Sequence, residues 1–133
     1  MTSLDPATLA ALKRARYVSL TTYRKDGTPR ATPVWHAVDG DRLYVRSAAD
    51  AWKVKRLRRD SRAEVTVCDL RGRIAPGAVH ATGTGRVLDD EEETRKAGAL
   101  LRQKYVMARI GDWYSALSGR HRRHPVIGLE ITF

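Results

Sequence analysis

The segment RYVSLTTYRKDGTPRATPVWHAVDGDRLYVRS, residues 16–47, decides the fold. Two Asp-Gly pairs, Asp26-Gly27 and Asp39-Gly40, divide it into three stretches of strand-forming residues. Asp-Gly is a favoured sequence for a tight hairpin turn, because these residues accept the positive φ that such turns require. The segment is therefore predicted to form three strands joined by two turns.

Three further strands are predicted outside this segment. They are AEVTVCDL (63–70), AVHATGTGRVLD (78–89) and VIGLEITF (126–133). In the last strand, Ile127, Leu129, Ile131 and Phe133 alternate with smaller or polar residues, which is typical of a strand with one buried face.

Three helices are predicted, one before the first strand and two between strands. The first, DPATLAALKRA (5–15), starts with the capping residue Asp5 and a proline. The last, DDEEETRKAGALLRQKYV (89–106), is acidic at its start and basic toward its end, which matches the helix dipole. The middle helix follows Asp50, the expected N-cap. Six strands with two or three inserted helices predict a mainly β, α+β fold: an antiparallel barrel with peripheral helices.

Composition restricts the class of protein. At 133 residues, with 42% hydrophobic and 30% charged residues, the chain is predicted to be one globular domain, residues 1–133. No apolar run approaches the roughly 20 residues of a membrane span, and no signal peptide is evident, so a cytoplasmic location is expected. The net charge of +10 favours anionic partners such as phosphates, polycarboxylates or nucleic acid.

The basic stretch KVKRLRRD, residues 53–60, is the strongest binding signal. Lysine in the first turn of a helix is unfavourable unless an anion is bound there, and Lys53 is predicted to lie in that turn. The alternative is a solvated basic face capped by Asp50 alone. Groove-reading and aromatic RNA-binding motifs are absent from the sequence, so nucleic acid is not the expected partner.

No complete catalytic or metal-binding motif is present. GTGRVL (83–88) has Leu88 where a dinucleotide-binding motif needs its third glycine. His121 and His124 have a metal-compatible spacing, but three arginines neighbour them, so no metal site is predicted. No catalytic residue can be assigned, and if the protein is an enzyme, we expect a cofactor to carry the chemistry.

The order of these elements resembles the split β-barrel flavin- and deazaflavin-binding proteins, the relatives of pyridoxamine 5'-phosphate oxidase. More narrowly, it resembles their branch dependent on coenzyme F-420, a deazaflavin with a phosphate and a polyglutamate tail. The resemblance covers about residues 16–133, and its most specific pieces are GTPRATPVW (27–35) and KVKRLRRD (53–60). It implies a six-stranded antiparallel split β-barrel, similar to flavin mononucleotide-binding folds.

The resemblance also implies the site. Lys53 would hold the cofactor phosphate, the end of the preceding strand would assist it, and the second strand would lie beside the ring system. The implied cofactor-binding residues are Thr32, Pro33, Val34, Trp35, Arg46, Ser47, Lys53, Lys55 and Arg56. Trp113 and Tyr114 would line the substrate side. The remaining arginines of this region would offer positive charge to the polyglutamate tail: Arg56, Arg58, Arg59, Arg71 and Arg73.

The implied function is an F-420-dependent oxidoreductase that passes a hydride to a small electron-poor acceptor, as a homodimer with its cofactor sites at the interface. No counterpart of the oxidases' substrate-binding C-terminal portion is evident, so oxidation of vitamin B6 is not expected. Flavin mononucleotide is the alternative cofactor in the same fold. Two non-enzymatic functions also stay open, a cofactor carrier and a basic nucleic-acid-associated protein.

Overall fold

The computed structural model describes residues 5–105 and 126–133. Within these ranges the helices are α1 (Pro6–Arg14), α2 (Trp52–Arg59) and α3 (Glu91–Lys104). The strands are β1 (Tyr17–Tyr23), β2 (Pro29–Val34), β3 (Ala37–Asp39), β4 (Arg42–Ala48), β5 (Arg62–Cys68), β6 (His80–Leu88) and β7 (Val126–Thr132). No helix in these ranges combines the length and the apolar character needed to cross a bilayer.

The strands form one antiparallel sheet in the order β2-β1-β5-β6-β7-β4-β3. The predicted mainly β architecture with helices is therefore confirmed. β2 and β3 are the two edges of the sheet, although they are neighbours in the chain. Since only Trp35 and His36 separate them, Val34 and Ala37 lie at most about 11 Å apart, so the sheet must curl until its edges approach each other.

The predicted number of six strands is wrong, because the predicted second strand breaks at Trp35 and His36. Val34 pairs with Val18 on one edge of the sheet, whereas Ala37 pairs with Tyr44 on the other. Between them, the backbone N–H of His36 donates to the Tyr105 hydroxyl at 3.1 Å instead of joining a ladder. The hydrogen-bonded order of the described strands is open, so the predicted split β-barrel stays a prediction.

Both predicted Asp-Gly turns are confirmed, since Gly27 and Gly40 have φ values of +89° and +64°. Pro6 occupies the start of α1 as expected, and Asp90 caps α3 by accepting from the N–H of Glu92 at 2.8 Å. The prediction for Asp50 is wrong. Ala51 is the N-cap residue of α2 and no side chain caps this helix, because the chain turns one residue later, where the Ala51 N–H donates to the carbonyl of Ala48.

The core lies between the sheet and its helices. Leu129, Ile131 and Phe133 of the C-terminal strand are buried, as predicted from their alternation, and Ile127 is half-buried. The opposite face of β7 also buries Glu130, because α3 packs over this part of the sheet.

An ionic network satisfies the buried carboxylate of Glu130. It accepts a hydrogen bond from the Tyr44 hydroxyl at 3.1 Å and lies 3.3 Å from the guanidinium of Arg86. Arg86 also binds Glu93 of α3 at 2.7 Å. The network therefore joins α3 to three neighbouring strands, β6, β7 and β4. These strands form the half of the sheet that is distant from β1 and β2.

Gly83 in β6 is predicted to be essential for packing. A Cβ at this position would lie 2.6 Å from the carbonyl oxygen of Thr132 and 3.0 Å from the ring of Phe133. A backbone oxygen cannot rotate away, so Gly83→Ala should destabilise the protein by about 1–3 kcal/mol. Urea unfolding measures this change. The neighbouring exposed Thr82→Ala is the control, and an equal midpoint for both variants would contradict the packing argument.

Candidate cofactor-binding site

A cavity of about 460 Å³ opens where β2, β4 and the start of α2 meet, and we call it the Lys53 cavity. Six of the nine residues predicted to bind the cofactor line it: Pro33, Val34, Trp35, Arg46, Ser47 and Lys53. These residues come from three separate segments of the chain. The structure therefore brings together most of a set that the sequence placed about 20 residues apart.

Local chain geometry explains the basic side of the Lys53 cavity. Arg46 and Ser47 are near the end of β4, and a short turn leads from them into α2, whose first turn contains Lys53. Ser47 is buried and its hydroxyl donates to the Ala48 carbonyl at 3.1 Å. Two cations and a hydroxyl group thus share one wall beside a helix N-terminus that no side chain caps.

Lys53 is half-buried, and no hydrogen bond or ion pair joins its ammonium group to another side chain in 5–105 or 126–133. Burial, with a contribution from the charge of Arg56, lowers the pKa of Lys53. A lowered pKa means that the charged form is disfavoured where it lies. An anion in the cavity would reverse this, so the side chain fits a ligand with a negative group.

The opposite wall of the Lys53 cavity is largely apolar. Pro33, Val34 and Trp35 contribute to it from the end of β2, and Tyr17 and Leu70 complete it. Leu70 lies in the loop between β5 and β6, and Gly72 of the same loop approaches the ring of Pro33. Apolar side chains together with a few polar groups are typical of a site for a small organic ligand.

Three predicted residues are not among those lining the cavity, and their roles stay predictions. Thr32 pairs with Leu20 within the β1–β2 ladder. The ammonium of Lys55 lies 4.5 Å from the ring centre of exposed Trp52. Arg56 belongs to a cluster of arginines described below. Trp113 and Tyr114 lie outside the described residues, so their predicted substrate contacts also stay predictions.

Sequence reasoning missed Tyr17, Ala48 and Leu70, which also line the cavity. Tyr17 is the first residue of β1, and no sequence motif pointed to it. Ala48 directly follows two predicted residues and could have been included by proximity. Leu70 is 66% exposed, and its place beside Pro33 depends on the path of the loop, which strand patterns do not predict.

A second cavity, of about 470 Å³, adjoins the first, and we call it the Lys104 cavity. Tyr17 and Trp35 line both cavities. The remaining lining residues are Lys13, Arg14, Arg16, Lys104 and Tyr105. Trp35 stacks on Tyr105, with ring centres 5.0 Å apart and an angle of 8° between the ring planes. This stacking fixes the position of the Trp35 ring, which lines both cavities.

Buried hydrogen bonds hold this shared wall in place. His36 is fully buried, and its Nε2 lies 2.6 Å from the carbonyl oxygen of Leu12 in α1. The Tyr105 hydroxyl lies 2.7 Å from the carbonyl oxygen of Arg16 and 2.9 Å from that of His36. Burial lowers the pKa of His36 to about 4, so its ring is neutral near pH 7.

Comparison with known proteins agrees with this architecture. The sequence model of the pyridoxamine 5'-phosphate oxidase family matches residues 4–132, nearly the whole chain. The chain belongs to this family. No protein of curated function matches it in sequence.

Solved structures share the fold of this family member at low sequence identity. A candidate pyridoxamine 5'-phosphate oxidase of Listeria innocua is 22% identical, with a TM-score of 0.63 and coverage of 95% of this chain and 90% of that one. A FAD-binding protein of Mesorhizobium loti is 21% identical, with a TM-score of 0.66 and coverage of 99% and 90%. A candidate 5-nitroimidazole antibiotic resistance protein of Bacteroides thetaiotaomicron is 14% identical, with a TM-score of 0.68 and coverage of 98% and 81%.

Among the described residues of this family member, no three His, Cys, Asp or Glu side chains are grouped so that they could hold a metal ion. His121 and His124 lie outside the described residues. Cys68 is free and half-buried, and burial raises the pKa of its thiol.

His36 is predicted to make the stability of the protein depend on pH. Its pKa is about 4 in the fold and about 6.5 in an unfolded chain, so the unfolded state binds the proton more readily. The contribution is fully present above pH 6.5 and is lost as pH falls toward 4, by up to about 3 kcal/mol.

Urea unfolding between pH 7.5 and 4.5 measures this dependence. His36→Asn should have lower stability at pH 7.5 and a shallower decline on acidification, whereas His80→Asn, at an exposed position, should keep the wild-type slope. Equal slopes for the wild type and His36→Asn would show that protonation of this ring does not control acid stability.

Proposed function

We propose that this protein is a cofactor-dependent oxidoreductase that uses coenzyme F-420 to exchange a hydride with an electron-poor acceptor. The observation that carries the proposal is the half-buried Lys53, which has no acidic partner among the described residues and faces a cavity with aromatic walls. The family match and the FAD-binding structural neighbour support a cofactor of the flavin type.

The two sides of the Lys53 cavity fit the two parts of such a cofactor. Lys53, Arg46 and Ser47 would bind its phosphate group, with help from the N-terminus of α2. Pro33, Val34 and Trp35 would contact the ring system and exclude water from it. When bound, the cofactor supplies the hydride chemistry, so the chain needs to bind and orient rather than to provide a nucleophile.

The choice of a deazaflavin rests on a cluster of arginines beyond the cavity. Arg56 neighbours Lys53 electrostatically, and the pKa of Arg56 is lowered first by burial and then by the charges of Arg24, Arg30 and Arg59. These guanidinium groups come from α2 and from the β1–β2 hairpin. A polyglutamate tail leaving the phosphate site would supply carboxylates to a cluster that is otherwise self-repelling.

The remaining basic residues contribute less to this cluster. Arg58 forms a bidentate pair with Asp89, at 2.6 and 3.0 Å, so its charge is already neutralised. Arg71 and Arg73 lie in the exposed loop that Asp69 organises by accepting from their backbone N–H groups. We therefore propose Arg24, Arg30, Arg56 and Arg59, rather than the whole set of arginines, as the contacts of the tail.

Flavin mononucleotide is the second candidate cofactor, because the family match and the FAD-binding neighbour both favour a flavin. It ends at its phosphate and would use Lys53 but not the arginine cluster. The proposed acceptor is a small electron-poor molecule, and one structural neighbour is described as a candidate 5-nitroimidazole resistance protein. We also propose that a homodimer completes the two cofactor sites.

Titration of the apo-protein with F-420 and, separately, with flavin mononucleotide tests the proposed function. Micromolar or tighter binding of F-420, with the flavin much weaker, would support it. A preference for flavin mononucleotide would keep the site and change the cofactor. Binding of neither would contradict the proposal, and duplex DNA would be tested next over a range of salt concentrations.

Lys53→Ala is predicted to weaken F-420 binding by about 1–3 kcal/mol, because hydrogen bonds to charged groups contribute about that much. Ligand fluorescence at moderate salt measures the dissociation constant. Arg58→Ala is the matched control on the same helix and should change binding by less than about 1 kcal/mol. Wild-type affinity in the Lys53 variant would favour the solvated-face interpretation of α2.

Arg56→Gln is predicted to separate the two cofactors. It should weaken F-420 binding by about 0.5–1 kcal/mol at low salt, because exposed ion pairs contribute no more than this. Flavin mononucleotide, which has no tail, should bind the variant as it binds the wild type. Adding salt should shrink the difference for F-420. An equal loss for both cofactors would mean that Arg56 acts on the phosphate rather than on a tail.

A further inference from the structure

The Lys104 cavity carries a charge pattern that the proposed cofactor does not use. Four cationic side chains line it, from Lys13, Arg14, Arg16 and Lys104, and no acidic residue is among those lining it in the described parts of the chain. Lys13, Arg14 and Lys104 are in the last turns of α1 and α3, where they also offset the helix dipoles. Compensation of the helix dipole accounts for positive charge at a helix end, but it does not account for a lysine that is half-buried.

Among these four cationic residues, Lys104 is the one that is half-buried, and burial lowers its pKa to about 8. The hydrogen-bond contact found for its ammonium among the described residues is with Nε2 of His36 at 3.2 Å. That nitrogen lies only 2.6 Å from the Leu12 carbonyl oxygen, which requires Nε2 to carry a proton and to donate it. A protonated Nε2 cannot accept from Lys104, so the ammonium lacks an acceptor in this contact.

Besides these cations, the residues that line the Lys104 cavity are aromatic. Tyr17, Trp35 and Tyr105 contribute rings, and the Trp35–Tyr105 stack keeps two of them rigid. A volume of about 470 Å³ is in the usual range for a small organic ligand. Rings together with cations are complementary to a flat conjugated molecule that carries a negative group.

The position of the cavity identifies the ligand's role. Tyr17 and Trp35 line both cavities, whereas Lys53, Arg46 and Ser47 line only the first. The shared wall is therefore the proposed ring side of the Lys53 cavity, not its phosphate side. A cofactor tail would leave from the phosphate side, so it would not fill the second cavity, and a separate molecule bound there would lie beside the ring.

We propose that the Lys104 cavity binds the electron acceptor, and that this acceptor is a conjugated organic anion whose carboxylate pairs with Lys104 and Arg16. The role as acceptor rests on the proposed function of the Lys53 cavity. The anion site itself rests only on the charges, rings and burial around Lys104.

Calorimetric titration of the protein with 2-naphthoate and with 2-naphthamide tests the anion site, because the two probes have nearly the same shape and differ in charge. The wild type should bind the carboxylate at least about tenfold more tightly than the amide. Lys104→Met should weaken naphthoate binding by about fivefold or more and leave naphthamide unchanged. Lys96→Met, an exposed lysine on the same helix, should behave like the wild type.

Arg16→Gln is the second variant, since Arg16 is exposed and its replacement does not disturb the buried contacts of Lys104. It should also selectively weaken naphthoate. Three results would overturn the proposed site. The two probes could bind equally well, naphthoate could fail to bind at millimolar concentration, or Lys104→Met and Lys96→Met could have equal effects.

Repeating the titration with protein saturated by F-420 distinguishes this proposal from the proposed function. Naphthoate should bind the loaded protein through Lys104 without displacing F-420. Displacement would place the anion in the Lys53 cavity and overturn the proposal. If neither F-420 nor flavin mononucleotide binds, the proposed function and the role as acceptor both fail, while Lys104-dependent binding of naphthoate would still establish the anion site.

Discussion

The path of the chain from one edge of the sheet to the other depends on the buried contact between His36 and Tyr105. This contact interrupts the strand after Val34, so that the chain leaves one edge of the sheet and joins the other. Further hydrogen bonds of the same two residues reach other parts of the chain: the His36 ring contacts the Leu12 carbonyl of α1, and the Tyr105 hydroxyl contacts the Arg16 carbonyl before β1. Because a buried backbone group must find a partner, the break in the ladder and the position of Tyr105 are mutually dependent.

The position of Trp35 between the two cavities follows from this break in the strand. Trp35 is stacked on Tyr105 and forms part of the wall between the two cavities. If β2 had continued as a regular strand beside β1, Trp35 would have belonged to the ladder and would not have formed this wall. The geometry that ends β2 therefore also creates two neighbouring spaces, one beside Lys53 and one beside Lys104.

Half-buried cations are common to both cavities. Burial lowers the pKa of Lys53 and of Lys104, so the charged form of both side chains is disfavoured where it lies. By contrast, Arg58 and Arg62 are exposed and paired with Asp89 and Asp60. Among the described residues, some cations are thus neutralised by carboxylates at the surface, whereas Lys53 and Lys104 lie half-buried beside cavities and the arginines around Arg56 repel one another. The lysines beside the cavities and the arginine cluster are the cations that point to ligands.

Local sequence patterns predicted the turns, the helices and most of the strands. Asp26-Gly27 and Asp39-Gly40 specify turns through local backbone preferences, and the charges of residues 89–104 specify α3 through its dipole. Of the nine cofactor-binding residues implied by the family resemblance, six line the Lys53 cavity, and their binding roles stay predictions. Only the tertiary structure decided the seventh strand, the place of Leu70 and the Lys104 cavity. These depend on contacts between residues far apart in the chain, such as His36 with Tyr105, which no local pattern encodes.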